Sequence, residues 1–192
     1  YSELLSLSST TEDSVEVLME VADAFKKNKD YDSSAYYFKK SEKLFRKLGD
    51  AGGIAKALNY QAILQRYSGN IENALALHNQ ALSVANKGKI VEEILGSHRL
   101  IAMIYRSQEQ YEKALDEYLQ AAQSVLLSKS RNDDAYMYHL IASIYRKLED
   151  YENAADYYQR ALTINRSLKK PVKMSSTLRG LGDVYSRQDD YI

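Results

Sequence analysis

Apolar and small residues recur along the chain in columns forty residues apart. A small residue stands at Ala22, Ala62, Ala102, Ala142 and Gly182. Nine places after each come Tyr31, Ile71, Tyr111, Tyr151 and Tyr191. Twelve after come Ser34, Ala74, Ala114 and Ala154, and nineteen after come Ser41, Ala81, Ala121 and Ala161. Four columns held in step over the whole chain mark an internal repeat.

Within each repeat the apolar spacing is that of two helices. Tyr138, Ile141, Ala142 and Tyr145 make one helical stripe, Leu148-Glu149-Asp150 breaks it, and Tyr151, Ala154, Ala155, Tyr158, Ala161 and Leu162 make the next. The third repeat follows suit with Ile101, Ala102 and Tyr105, then Tyr111, Ala114, Leu115, Tyr118 and Ala121. So short a break forces the two helices antiparallel. Small residues let their backbones approach, and aromatic neighbours fill the space above and below. Asp150 suits a helix cap, while Asp32, Glu72, Glu112 and Glu152 sit where the helix dipole favours an acid. Pro171 aligns with Ala51, Val91 and Arg131, where first helices begin, and proline is tolerated in a first turn. The spacing predicts first helices over about 12–28, 52–68, 91–108, 132–148 and 172–188, and second helices over about 31–48, 71–87, 111–128 and 151–168. A leader precedes them over residues 1–10. The repeats, about 12–50, 51–90, 91–130, 131–170 and a partial 171–192, read as one domain. Because the chain opens on Tyr1 and stops where a second helix is due, it reads as a fragment of a longer protein.

The second repeat departs from the columns. Gln61 and Gln65 replace the apolar Val21/Ile101/Ile141 and Phe25/Tyr105/Tyr145, and His78 replaces Phe38, Tyr118 and Tyr158. Either this repeat packs loosely, or its register turns to use Ile63 and Leu64. Ser34 and Ser41 stand where alanine is usual.

Composition agrees with an all-helical reading, because 8 Gly and 1 Pro in 192 residues are too few for many tight β-turns. The absence of cysteine removes disulfides, thiolate metal sites and cysteine nucleophiles. Lys+Arg and Asp+Glu both number 26, a balance that argues against a general nucleic-acid binder. Most of the 17 tyrosines sit in repeat columns as core, which sets base stacking aside. No apolar stretch approaches a membrane span of about 20 residues.

The order Leu178…Leu181-Gly182…Tyr185…Asp190-Tyr191, continued by the pattern Tyr145…Tyr151…Ala154…Tyr158…Ala161, resembles the tetratricopeptide repeat. The usual unit is about 34 residues. The longer repeat here is similar to the subclass found in kinesin light chains, spindle-orientation adaptors, bacterial peptide-pheromone receptors and bacterial sensor regions. The resemblance implies an all-α fold, an α-solenoid with a right-handed superhelical course, built from about four and a half antiparallel helix pairs.

In that family the first helices line the concave wall. The inward positions lie six and three before the small residue and one, four and five after it. The resemblance therefore puts Glu16, Met19, Asp23, Lys26 and Lys27 on the wall in the first repeat, and Lys56, Asn59, Ile63, Arg66 and Tyr67 in the second. The third contributes Gly96, Arg99, Met103, Arg106 and Ser107, and the fourth Tyr136, His139, Ser143, Arg146 and Lys147. The partial fifth adds Ser176, Arg179, Asp183, Ser186 and Arg187. Basic residues recur there as Lys26, Arg66, Arg106 and Arg146 in one column and Arg99, His139 and Arg179 in another. Such arginines grip carboxylates in forked geometry. Met103, Ile63, Tyr67 and Tyr136 supply apolar anchors, and Asn59 completes the expected groove. The expected partner is a protein or peptide segment, acidic with a few apolar side chains. The clamp that some family members use for a terminal carboxylate is missing, since Met19/Asp23, Asn59/Ile63 and Arg99/Met103 hold its places.

No chemistry competes with docking. His78 and His98 lie on packing stripes, only His139 turns inward, and no two histidines have the helical spacing of a metal pair. Gly52-Gly53 opens a helix rather than a phosphate loop, and Asp133-Asp134 and Asp189-Asp190 read as caps. The expectation is a non-catalytic scaffold without cofactor or metal, cytoplasmic, with no membrane or nucleic-acid contact. The alternative is a sensory or regulatory input domain of a larger bacterial signalling protein (a kinase, cyclase or transcription regulator), for which a periplasmic sensor region is the other location. An enzyme's helical lid is a third reading. The open final repeat exposes an apolar face through which copies could self-associate.

Overall fold

The computed structural model describes residues 11–127 and 131–189. The leader over 1–10 and the positions Asp190, Tyr191 and Ile192 lie outside the described residues, as do the side chains of Asp133 and Asp189. Among the described residues every element is a helix: α1 Thr11–Lys27, α2 Tyr31–Leu48, α3 Ala51–Tyr67, α4 Ile71–Gly88, α5 Val91–Ser107, α6 Tyr111–Leu127, α7 Arg131–Lys147, α8 Tyr151–Ser167 and α9 Pro171–Asp189. Their ends fall within one residue of the spans the periodicity predicts. Pro171 opens α9, where its missing N–H costs nothing.

The period has a local cause. All seven described connections turn on one residue with positive φ, at Lys29, Gly49, Gly69, Lys89, Glu109, Glu149 and Lys169, twenty residues apart apart from one undescribed place. In each, that residue's N–H bonds three back and the next N–H bonds five back: Lys89 N to Asn86 O at 3.1 Å and Ile90 N to Ala85 O at 2.9 Å are one example. This double bond closes the last turn of one helix and hands the chain to the start of the next. Asp30, Asp50 and Asp150 then cap the new helix by accepting from Ser33 N, Gly53 N and Asn153 N at 3.1, 3.0 and 3.1 Å. Two helices and two such turns make the forty-residue repeat.

The chain divides into two compact units, Tyr1–Ser97 and His98–Ile192. In the first, the small columns Ala22, Ala62, Ser34, Ala74, Ser41 and Ala81 are all fully buried. Ser34 donates its hydroxyl across the helix pair to Ala22 O at 2.8 Å, so serine replaces alanine there without an unmet polar group. Phe38 stacks on Tyr60 with ring centres 4.8 Å apart, over Ala22 and Leu64. A neighbouring core joins Ile54, Ala55, Leu58, Ala81 and Ala85.

The second unit repeats the arrangement with Ala142, Ala154, Tyr158, Leu181 and Val184. Tyr145 stacks on Tyr157 at 5.5 Å, in the columns where Phe25 stacks on Tyr37 at 5.5 Å. On α9, Val172, Leu178 and Tyr185 are exposed.

Of the two readings of the second repeat, neither describes it. Ala62 and Leu64 are buried in the ordinary columns, so the register is unchanged. Gln61 donates to Glu42 at 2.8 Å. His78 is 1% exposed and bonded, so polar contacts replace apolar ones without loosening the core.

Candidate functional site

The wall residues of the first unit lie on α1 and α3. Lys26 and Lys27 both pair with Asp23, whose carboxyl those two ammonium groups hold below its ordinary range. Lys26 also lies 4.6 Å over the Tyr60 ring. A hollow of about 470 Å³ lies here, lined by Met19, Asp23, Lys27, Lys56 and Tyr60 among others. Ile63 is half-buried. Arg66 lies 5.3 Å from the Tyr67 ring, and Tyr67 is half exposed.

Asn59 departs from expectation. The resemblance puts it on the wall, but it is 6% exposed and its side chain ends inside the protein. Its amide donates to Ser97 Oγ at 3.0 Å, and its carbonyl oxygen lies 2.8 Å from His78 Nδ1. The shorter amide turns inward to meet the two polar groups that replace apolar ones. Burial, aided by the Arg66 charge, pushes the His78 pKa down to about 4, so the ring is neutral.

The second unit carries the other wall residues on α5, α7 and α9. Arg99 lies over Tyr136 with its guanidinium 5.9 Å from the ring centre. Met103 and Arg106 are half-buried one and two turns further along α5. His139 is half-buried, edge-on to Tyr158, with Nδ1 3.3 Å from Thr177 Oγ1. Burial, then the charges of Arg146 and Arg179, lower its pKa. Arg146 donates to Asp183, which also receives Arg187 at 3.3 Å. His139, Ser143, Arg146, Tyr158, Arg179 and Asp183 share a hollow of about 380 Å³.

The structure therefore brings Arg99 to Tyr136, and His139 to Arg146 and Arg179. It leaves Arg66, Arg99, Arg106 and Arg179 without an ion pair among the described residues. His98, expected as packing, donates from Nδ1 to the Glu117 carboxylate at 2.7 Å. Tyr118 is fully buried, as its stripe implies, yet its hydroxyl has no partner among the described residues. Its column marked it as core, and nothing in the columns signals a stranded hydroxyl.

No group of His, Asp and Glu among the described residues is placed to hold a metal ion. No described helix is long and apolar enough to cross a membrane.

A family model described as the tetratricopeptide repeat matches residues 13–87, 93–167 and 133–192. No curated protein sequence matches the chain. Among solved structures, BtubC from P. vanneervenii is 21% identical with a TM-score of 0.84, over 94% of this chain and 75% of its own. Aspartyl phosphate phosphatase F from Bacillus subtilis is 18% identical with a TM-score of 0.86, over 99% of this chain and 50% of its own. A Rap protein complexed with competence and sporulation factor is 17% identical with a TM-score of 0.69, over 99% and 52%. The chain thus spans about half the length of the last two.

Proposed function

The chain belongs to the tetratricopeptide-repeat family, and from that premise we propose that it is a non-catalytic docking module that holds a partner's protein segment against its first-helix wall. The observation that carries this reading is the uneven charge of that wall. Among the described wall positions of the second unit, Arg99, Arg106, Arg146 and Arg179 are accompanied by one acid, Asp183, which pairs with Arg146, although the chain as a whole is neutral. Exposed Tyr67 and Tyr136 beside arginines offer flat apolar contacts. The fitting segment carries Asp or Glu with a few apolar side chains. The balanced overall charge favours protein over nucleic acid. The Rap complex supports the reading by similarity of fold.

The test is a screen of acidic, neutral and basic peptide pools at low and moderate salt, beside an Arg66/Arg106/Arg179→Ala variant whose helicity is checked by circular dichroism. Acidic pools should bind, weaken with salt and lose affinity for the folded variant. Equal binding by the variant, or a preference for basic pools, removes this wall as the docking surface.

A further inference from the structure

The Arg146–Asp183 pair joins two columns of the repeat, and one repeat earlier the same columns hold Arg106 and Ser143. Asp183 offers its carboxylate to Arg146. Ser143 instead turns its hydroxyl back on its own helix, donating to Leu140 O at 2.7 Å. Arg106 consequently has no carboxylate, and Arg99, in the column of His139, has none either among the described residues.

Two buried polar atoms mark the same place. The Tyr118 hydroxyl and Arg99 Nε are both enclosed and both lack a hydrogen-bond partner among the described residues. Tyr118 is 0% exposed, and burial raises its pKa to about 12 against the charges of Arg106 and Arg99. Both arginines therefore stand close by. In the next repeat Tyr158 occupies the same column, with Arg146 and Asp183 as its charged neighbours. The two sites differ in that the later one contains a carboxylate and has His139 in the column of Arg99; Arg146 Nε is enclosed and unpaired there too. What sets the third repeat apart is two arginines without a carboxylate beside a buried hydroxyl without a partner, an arrangement that suits an acceptor supplied from outside.

We propose that the third repeat holds an open carboxylate seat, where an Asp or Glu side chain of the bound segment takes on Arg106 and Arg99 the place that Asp183 takes on Arg146. The proposal rests on the docking reading and specifies where along the wall the acid lands. It also makes Asp183 an internal plug, so the fourth repeat does not compete for the same acid.

The test uses labelled dodecapeptide pools with a fixed central aspartate, beside the same pools with asparagine there, and reads fluorescence anisotropy. Ser143→Asp should plug the seat as Asp183 plugs its own, lowering affinity for the aspartate pool by about tenfold or more. Ser143→Asn should bind within about twofold of the parent protein, and neither change should alter binding of the asparagine pool. Asp183→Ser should open a second seat and raise affinity for the aspartate pool. If Ser143→Asp does not fold, Arg106→Gln gives the same reading, with a loss confined to the aspartate pool. Undiminished aspartate binding by Ser143→Asp, or equal binding of both pools to the parent protein, overturns the seat. If the triple arginine variant loses binding while Ser143→Asp keeps it, docking stands and the seat falls. If neither pool binds the parent protein, both fall.

Discussion

Acid should weaken this fold through His78, and replacing that residue should reverse the effect. In the unfolded chain the ring takes up a proton near pH 6.5, whereas in the fold it does so only near 4. Between these values the unfolded chain binds more protons, so stability falls as pH falls. At about 1.4 kcal/mol per pH unit, the contribution lost by pH 4 is about 3 kcal/mol. Other groups titrate in the same window. Burial also lowers His139, which adds to the loss. Glu93, hydrogen-bonded to Asn59, runs the opposite way, because burial raises its carboxyl and acid therefore relieves it. Comparison with His78→Phe isolates the one ring. Phenylalanine restores the column's aromatic but removes the donor to Asn59 Oδ1, at a cost of about 1–2 kcal/mol at neutral pH. The variant should thus be the less stable protein at pH 7 and the more stable one at pH 4, with the two curves crossing between pH 6.5 and 4. Urea denaturation followed by circular dichroism across this range reads the difference directly. A gap between the proteins that stays constant from pH 7 to 4 would refute a neutral, buried His78.

Two further outcomes concern backbone and packing. Lys89→Gly or Glu149→Gly, at turns with φ of 55° and 61°, should each raise stability by about 0.5–1 kcal/mol, seen as a higher melting temperature, because glycine alone takes this conformation without steric cost; a lower melting temperature refutes the turn assignment. On α9, Gly180→Ala should destabilise by about 1–3 kcal/mol, since the new Cβ would lie 2.5 Å from Tyr158 Cζ. Gly182→Ala, with nothing within 4 Å, should instead stabilise by about 0.5–1 kcal/mol in the same denaturation assay.

The elements were legible because two signals agree in every repeat: an apolar stripe of helical period, and a break of fixed length. Even the serines at 34 and 41 did not blur the columns, since a hydroxyl that bonds a nearby carbonyl packs almost as alanine does. The wall was less legible. Position three before the small residue holds Arg99, His139 and Arg179, whose side chains are long or broad enough to stay partly exposed; the short amide of Asn59 is not, and two polar residues 19 and 38 places away capture it. Nor does the sequence say that Asp183 reaches across to Arg146, or that Tyr118 ends without a partner. These depend on rotamers and on which charge lies nearest, and a column pattern fixes neither.

The self-closing turns also bear on how such a chain can lengthen or shorten over generations. Each one is completed by hydrogen bonds to residues at most five places back, so it needs nothing from elsewhere in the molecule to form. A genetic exchange that deletes or duplicates forty residues between two such turns, for example from Asp50 through Lys89, rejoins the chain in phase, with first helices still in first-helix positions. A loss of twenty residues joins the turns equally well but puts a second helix in a first-helix position, with its buried and exposed faces mismatched to their new neighbours. Growth by whole hairpins is therefore the step this chain tolerates, and each added hairpin brings a fresh set of wall positions on which selection can act.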